Sequence, residues 1–492
     1  MSESRAAAID STHFRQLYIG GQWIAPATDK LIDVVSPYSE QVVFQVAEAV
    51  EADVDKAVAA ARDAFDTGPW PRMTPQERAK TLAKFAEALR ARADDFVIAW
   101  TEETGVILRM AKMSPEYAIS NVDRAVGQAD TFPFIEEHPA NAGAALLVRE
   151  PVGVVAAIAP WNAPLATMLT KIAPALVAGC PVIMKPAPQT PIDAYIIAEC
   201  ADQAGFPPGV VNLITADRDA SDHLVCHPGV DKVSFTGSLA VGQRIASVCG
   251  ERIGRVTLEL GGKSAAIVLD DYDLEAAAQS LAGGICVLSG QNCAALTRVI
   301  VSRSRHDELV KHLAKAMEAV TIGDPYDENT KLGPLTMKQQ LDKVEACIAQ
   351  GVKEGATLAC GGKRPADLKT GFYFEPTVLA NVDNKMSVAQ DEIFGPVLCV
   401  IPCDDEEDAI NIANDSIYGL AGAVYTNDAD AAYRIARRLR TGTVGQSAPS
   451  ASFAVAFGGF KQSGLGREGG TEGLKAYLEA KTVLLKGKPS AL

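Results

Sequence analysis

Positive charge is scarce in this chain: 46 lysines and arginines stand against 61 aspartates and glutamates, a formal net charge of -15. With a pI near 5.0, its summed field repels phosphate backbones and anionic membrane surfaces, which excludes nucleic acid as an expected partner. Histidine is scarce too, with six in 492 residues. The ten cysteines begin only at Cys180 and include no C-x-x-C pair, so neither a zinc site nor a redox dithiol is expected and reduced thiols fit. His223 and His227, four apart beside Cys226, read as a solvated helix face, and no metal is expected. The opening "MSESRAAAIDSTHFRQLY" lacks the apolar core of a signal peptide, which points to the cytoplasm. The chain also lacks internal repeats, low-complexity tracts and long Gly/Ser linkers.

What is present is ordinary globular material, 48% hydrophobic and 22% charged. The length exceeds what one core usually supports, so two or three domains are expected. One stretch, "PVGVVAAIAPWNAPLATMLT" (151–170), has the length of a membrane span. Pro160, Asn162 and Pro164 interrupt it, so a buried strand, a turn and a helix are the better reading, with no membrane insertion.

Helical spacing runs through 53–66 and 76–105, the second opened by Thr-Pro followed by Gln-Glu. From 151 to 270, short apolar strands alternate with helices: "VVAAIAP", "CPVIMKP", "VVNLIT", "KVSFTGS", "VTLEL" and "SAAIVLDD". A second alternation follows through "TRVIVS", "TVLANV", "PVLCVIP" and "AGAVYTN". Such patterns predict an α/β fold with two doubly wound parallel sheets.

Two glycine motifs mislead. "GLGREG" (464–469) satisfies G-x-G-x-x-G but follows the polar "FKQS" near the C-terminus instead of a strand, and "LGGKS" (260–264) lacks the first glycine of a phosphate loop. Both read as turns. "KVSFTGSLAVGQRIA" (232–246) differs: strand, Thr-Gly-Ser turn and helix aim backbone N–H groups at an anion such as a pyrophosphate. Four further elements carry chemistry: Asn162 at a strand-to-helix turn, Glu259 ending an apolar strand, Cys293 between small and polar neighbours, and Glu392 beside an aromatic.

Taken in order, "PWNAP", "KP", "FTGS", "LELGGKS", "GQNC", "EIFGPV" and "FGGFKQSGLGRE" resemble the aldehyde dehydrogenase superfamily over nearly the whole chain. The resemblance implies a Rossmann-like dinucleotide-binding domain (1–130, 152–263 and 463–477) and a catalytic domain (264–462). It also implies a small β oligomerisation arm (131–151 and 478–492) that pairs subunits into a homodimer or homotetramer. It makes Cys293 the nucleophile that forms a hemithioacetal and then a thioester, Asn162 the oxyanion donor and Glu259 the base for hydrolysis. It lines the NAD site with Ile158, Ala159, Trp161, Lys185, Gly237, Ser238, Gly242, Leu260, Glu392 and Phe394. Pro188 stands where many relatives carry an acid that repels a 2′-phosphate, so NAD is expected and NADP tolerated.

A helix after Asn162 would put Ala163, Thr167 and Thr170 on one face near the thiol. Their small size, with Val287, Phe453 and Phe457 as apolar walls, predicts a bulky hydrophobic aldehyde, aromatic or terpenoid. A semialdehyde or small aliphatic aldehyde is the alternative. A thiolase or cysteine hydrolase would want a histidine in a comparable motif, and none is present. A non-catalytic binding protein would be expected to have lost the cysteine, amide or acid, and all three are intact.

Overall fold

The structure is a computed structural model that describes residues 5–139, 143–448 and 452–489. Its first sheet runs, in spatial order, Gly464–Leu465, Arg255–Glu259, Lys232–Thr236, Val155–Ile158, Val182–Lys185, Val211–Leu213, Leu17–Ile19 and Gln22–Ile24. The five central strands are parallel and the flanking ones antiparallel. These central strands are short and apolar because helices cover both faces, burying nearly every side chain. Chain order reverses between Val155–Ile158 and Lys232–Thr236, and a crevice opens beyond their carboxyl ends.

The second sheet has seven strands: Thr357–Cys360, Thr377–Ala380, Val397–Cys403, Leu296–Ser302, Ser264–Val268, Ala421–Tyr425 and Thr443–Gln446. All pair in parallel except the first. "SAAIVLDD", which the sequence aligns with the first alternation, therefore belongs to the second sheet. An apolar run reads alike in any parallel sheet, and its period does not say which sheet it joins.

The helical pattern over 76–105 is two helices, Pro75–Ala91 and Ala93–Thr104. The first starts at a Thr74 capping box with Glu77. Between them Arg92 leaves helical geometry (φ -106°, ψ 17°) and its guanidinium reaches Glu199 at 2.8 Å. A third sheet joins Leu478–Leu485, Ala144–Pro151 and Ile135–His138, antiparallel throughout. Among the described residues no helix is long and apolar enough to cross a membrane. The 151–170 stretch is the end of one strand, the Val155–Ile158 strand, a turn and the Pro164–Ala178 helix.

Candidate active site

A cavity of about 630 Å³ opens at the point where strand order reverses. Ile158, Ala159, Trp161 and Asn162 line it from one strand end, and Gly237 and Ser238 from the other. Lys185, Pro188, Leu260, Cys293, Glu392 and Phe394 also line it, with Asp217, Arg218 and Arg244 among the further wall residues. Asn162, in the turn after the Val155–Ile158 strand of the first sheet, and Cys293, just before the Leu296–Ser302 strand of the second, thus meet at one cavity although 131 positions apart. Gly242 does not line the cavity; a side chain there would meet Leu260 Cδ2 at 2.4 Å, so this glycine lets the Leu239–Glu251 helix approach the cavity wall.

The Cys293 loop is held stiffly. Leu288 and Ser289 adopt left-handed backbone (φ 52° and 54°), which costs roughly 1–3 kcal/mol each and persists only where the surroundings enforce it. Ser289 Oγ donates to Gly333 O at 2.9 Å, and Thr336 N–H donates to Gln291 Oε1 at 3.0 Å. Asn162 is fixed at both ends: its Nδ2 donates to Gln291 O at 2.8 Å and its carbonyl accepts from the Trp100 indole at 3.0 Å. The amide's second N–H remains for a ligand.

Cys293 is half-buried. Burial, and then the charges of Glu392 and Glu259, push its thiol up to about 12, against a small opposing pull from its own N–H and that of Ala294. The Ala294 N–H is also engaged by Asn292 Oδ1 at 3.1 Å. Glycine at 262 makes the loop's placement possible: a Cβ there would lie 2.3 Å from Cys293 O, which is backbone. Gly262→Ala is therefore expected to displace the thiol and slow single-turnover oxidation roughly 100-fold. A melting temperature close to native alongside that slow rate would assign the loss to geometry.

Glu259 lies outside the cavity lining, at the end of its strand, 3% exposed, with neither carboxylate oxygen hydrogen-bonded. Burial and the neighbouring Glu468 raise its pKa well above the carboxylate range, while Lys171 and Arg467 oppose them. Lys171, wholly buried, binds Glu468 Oε1 at 2.5 Å and Thr236 Oγ1 at 2.7 Å. The sequence gives no hint of this pair, since its members are 297 residues apart and Glu468 sits in the discarded "GLGREG".

Lys185 is buried, which lowers its amine to about 8 despite the opposing charge of Asp217. Glu392 Oε1 accepts the Gly262 N–H at 3.0 Å. The Trp161 and Phe394 rings meet edge to face at 5.3 Å. None of the six residues expected around the substrate lines this cavity. Phe453 and Phe457 stack edgewise at 4.9 Å, and Tyr117, which the sequence did not single out, joins Phe453 at 6.4 Å. Ala163 caps the Pro164–Ala178 helix and packs on the Trp100 cluster. Thr167 follows one turn later, its N–H donating to Ala163 O at 3.1 Å. Thr170 is buried, donates to Ala166 O at 2.7 Å and borders a separate small cavity with Arg124 and Gly469. Val287 closes the Leu274–Cys286 helix.

Among the described residues the one metal-like group is Asp55, His223 and His227. Gly229 N–H donates to His227 Nδ1 at 3.0 Å, so in the neutral ring Nε2 carries the proton and cannot also bind a metal. In the cluster His223 Nε2 is hydrogen-bonded to Asp55 Oδ1 at 2.6 Å, and His227 Nε2 lies 3.5 Å from the same oxygen.

The profile of the aldehyde dehydrogenase family matches residues 23–483. The chain belongs to that family. Geranial dehydrogenase of Castellaniella defragrans is 42% identical over 481 residues, spanning 97% of this chain and 100% of that one. A 3-succinoylsemialdehyde-pyridine dehydrogenase of a Pseudomonas species is 41% identical, over 96% and 98% of the two chains. Among solved structures, a Mycobacterium tuberculosis aldehyde dehydrogenase complexed with NAD+ superposes with a TM-score of 0.94 at 44% identity, covering 96% and 98%. An alanine variant of aldehyde dehydrogenase C from Pseudomonas syringae, complexed with NAD+ and octanal, gives 0.93 at 39%, covering 96% and 97%. This aldehyde dehydrogenase is thus an oxidoreductase that converts aldehydes to acids.

Proposed function

We propose that this enzyme oxidises a bulky hydrophobic aldehyde through a covalent adduct on Cys293, with NAD as its cofactor. The observation that carries the reading is the meeting of Cys293 and the Asn162 amide in one cavity whose far end is a free helix N-terminus. The residues there fit a dinucleotide: the cap at Ser238 makes no side-chain hydrogen bond, which leaves the first N–H groups of the Leu239–Glu251 helix for a pyrophosphate. Lys185 suits the ribose, and the Trp161, Phe394 and Glu392 wall suits the nicotinamide end. When bound, NAD supplies the acceptor for the hydride.

The Cys293 sulfur attacks the carbonyl carbon, and the Asn162 amide and the Cys293 N–H stabilise the resulting oxyanion. Removing one such donor typically costs about 3–4 kcal/mol of transition-state stabilisation. Loss of hydride leaves a thioester on Cys293. Glu259 then takes the proton of the attacking water, and the acid leaves. With Pro188 in place of a carboxylate at the ribose end, nothing at that position repels a 2′-phosphate, and NADP is tolerated.

Support for a bulky substrate comes from the likeness to geranial dehydrogenase; Ala163, next to Asn162, is small, but it and the aromatic group of Tyr117, Phe453 and Phe457 lie outside the Cys293 cavity lining. In a panel of aldehydes, a ten-carbon unsaturated aldehyde should exceed acetaldehyde in kcat/KM by about 100-fold or more. Ala163→Phe should erase that advantage while sparing acetaldehyde. A clear preference for acetaldehyde, or for a carboxylate-bearing semialdehyde, sinks the assignment. Subunits pair through the arm sheet, where Leu484 and Ile135 are exposed apolar residues. Ten unpaired cysteines suit a reducing cytoplasm.

A further inference from the structure

Two carboxyl groups lie beneath the Asn162 turn, and neither has a part in the reaction as described above. Glu103 is in the last turn of the Ala93–Thr104 helix and Asp193 in the first turn of the Ile192–Ala204 helix, each 1% exposed. Glu103 Oε1 accepts the Ile192 N–H at 3.0 Å. Its other oxygen and both oxygens of Asp193 are buried without a hydrogen-bond partner. The Leu165 N–H faces Asp193 but does not complete a hydrogen bond to it. Among the described residues Asp193 is the charged group acting on Glu103, and no cation from the helices at 93–104, 164–178 or 192–204 acts on either carboxyl.

Two ionised carboxylates in a dry site repel each other and have nothing to solvate them. A retained proton solves both problems, since a protonated carboxyl is a donor and gives the orphaned oxygens a partner. Burial raises both groups, Asp193 to about 8, and the charge of Asp193 raises Glu103 further.

The surroundings tie this pair to the oxyanion donor. Trp100, one turn before Glu103, holds the Asn162 carbonyl at 3.0 Å. Thr104 O, the next residue, accepts from Thr336 Oγ1 at 3.3 Å; Thr336 N–H holds Gln291, and Gln291 O holds the Asn162 amide at 2.8 Å. Leu165, facing Asp193, is three residues beyond Asn162. The helix end that carries Glu103 therefore fixes Asn162 from both directions.

We propose that Glu103 and Asp193 share one proton and act as a positioning pair for Asn162, clasping the helix that carries Trp100 to the helix starts at Leu165 and Ile192. The inference rests on Asn162 being the oxyanion donor. Losing the proton leaves two bare charges that push this helix end away, and an ångström of misplacement at a reacting group can slow a step about 100-fold.

The test is the single-turnover rate of hydride transfer as a function of pH, in wild type, Asp193→Asn and Glu103→Gln, with NAD affinity as the check on folding. In wild type the rate should fall on the alkaline side of about 8, where Asp193 is already ionised and the pair's last proton leaves Glu103, opposite in sign to the rise expected from Cys293 ionisation. Both neutral variants should lose that fall and keep NAD affinity within about twofold. Asp193→Ser poses the same question should the amide not be accommodated. An alkaline fall that persists in every folded variant overturns the proposal. Asn162→Ala separates the two readings: it should slow hydride transfer on the order of 100- to 1,000-fold. If it does not, the oxyanion assignment fails and the pair loses its purpose with it. If it does while the alkaline fall is unmoved, only the carboxyl pair is rejected.

Discussion

Cys293→Ala will bind NAD with close to native affinity and oxidise no aldehyde at a measurable rate. Removing a nucleophile that acts as one unit with its supporting groups costs on the order of a million-fold in turnover, and nothing here replaces the sulfur. Of the ten cysteines, Cys293 alone lines the cavity, and six others are buried in the hydrophobic cores or strands. NAD binding should survive because the strand ends and the helix at Leu239–Glu251 do not depend on the sulfur. Fluorescence titration with NAD and stopped-flow reduction measure the two properties separately. Residual turnover above about one ten-thousandth of wild type would require a second nucleophile or a direct hydride route from the hydrated aldehyde, and the covalent mechanism would fall.

The same prediction exposes a tension in the resting site. A thiol pushed up to about 12 stays protonated at neutral pH. Its second and third causes, after burial, are the charges of Glu392 and Glu259. Both acids are themselves held toward their neutral forms by burial. Each proton they retain relieves the thiol, so Cys293 and the two acids titrate together and not as independent groups.

How much of this was legible in the sequence depended on the kind of signal. Short apolar runs between helices announced parallel strands, and "KVSFTGSLAVGQRIA" announced a strand, a turn and a helix, because both are local patterns. The strand alternation alone did not assign Ser264–Val268 to the second sheet, since no residue in the run encodes its neighbours; only the resemblance, which starts the catalytic domain at 264, did. Lys171 with Glu468, and Glu103 with Asp193, were hidden for a related reason: a buried charge is recognisable only beside its partner, and these partners lie 297 and 90 positions away. Tyr117 was missed because its helix reads as an ordinary amphipathic one, and only the fold brings Phe453 against it. The glycine at 262 was visible as a turn, but its closeness to the Cys293 carbonyl is a fact of two loops meeting.

Glu259→Gln should arrest the enzyme after its first oxidation. Glutamine keeps the shape of the buried side chain but cannot accept a proton from water, so the thioester forms and then waits. The expected record is a burst of one NADH per active subunit, followed by a steady rate lower by about 100- to 10,000-fold, the usual worth of a general base. The burst itself should not slow. Removing a carboxyl that raises Cys293 should move the acid limb of the burst toward lower pH, because less of the thiol's proton is then held by a neighbouring negative charge. In wild type the sign of the later step is the reverse of an acid's. Glu259 works only when ionised, its pKa is raised, and hydrolysis should therefore quicken as pH climbs through that value. Glu468 adds to the raising and Lys171 opposes it. Lys171→Met should accordingly push the hydrolysis limb further upward and leave the burst in place. Quenched-flow trapping of the acyl-enzyme by mass spectrometry reads the intermediate directly. A Glu259→Gln protein with no burst, or one that hydrolyses its thioester at the native rate, would show that water is activated by some other group.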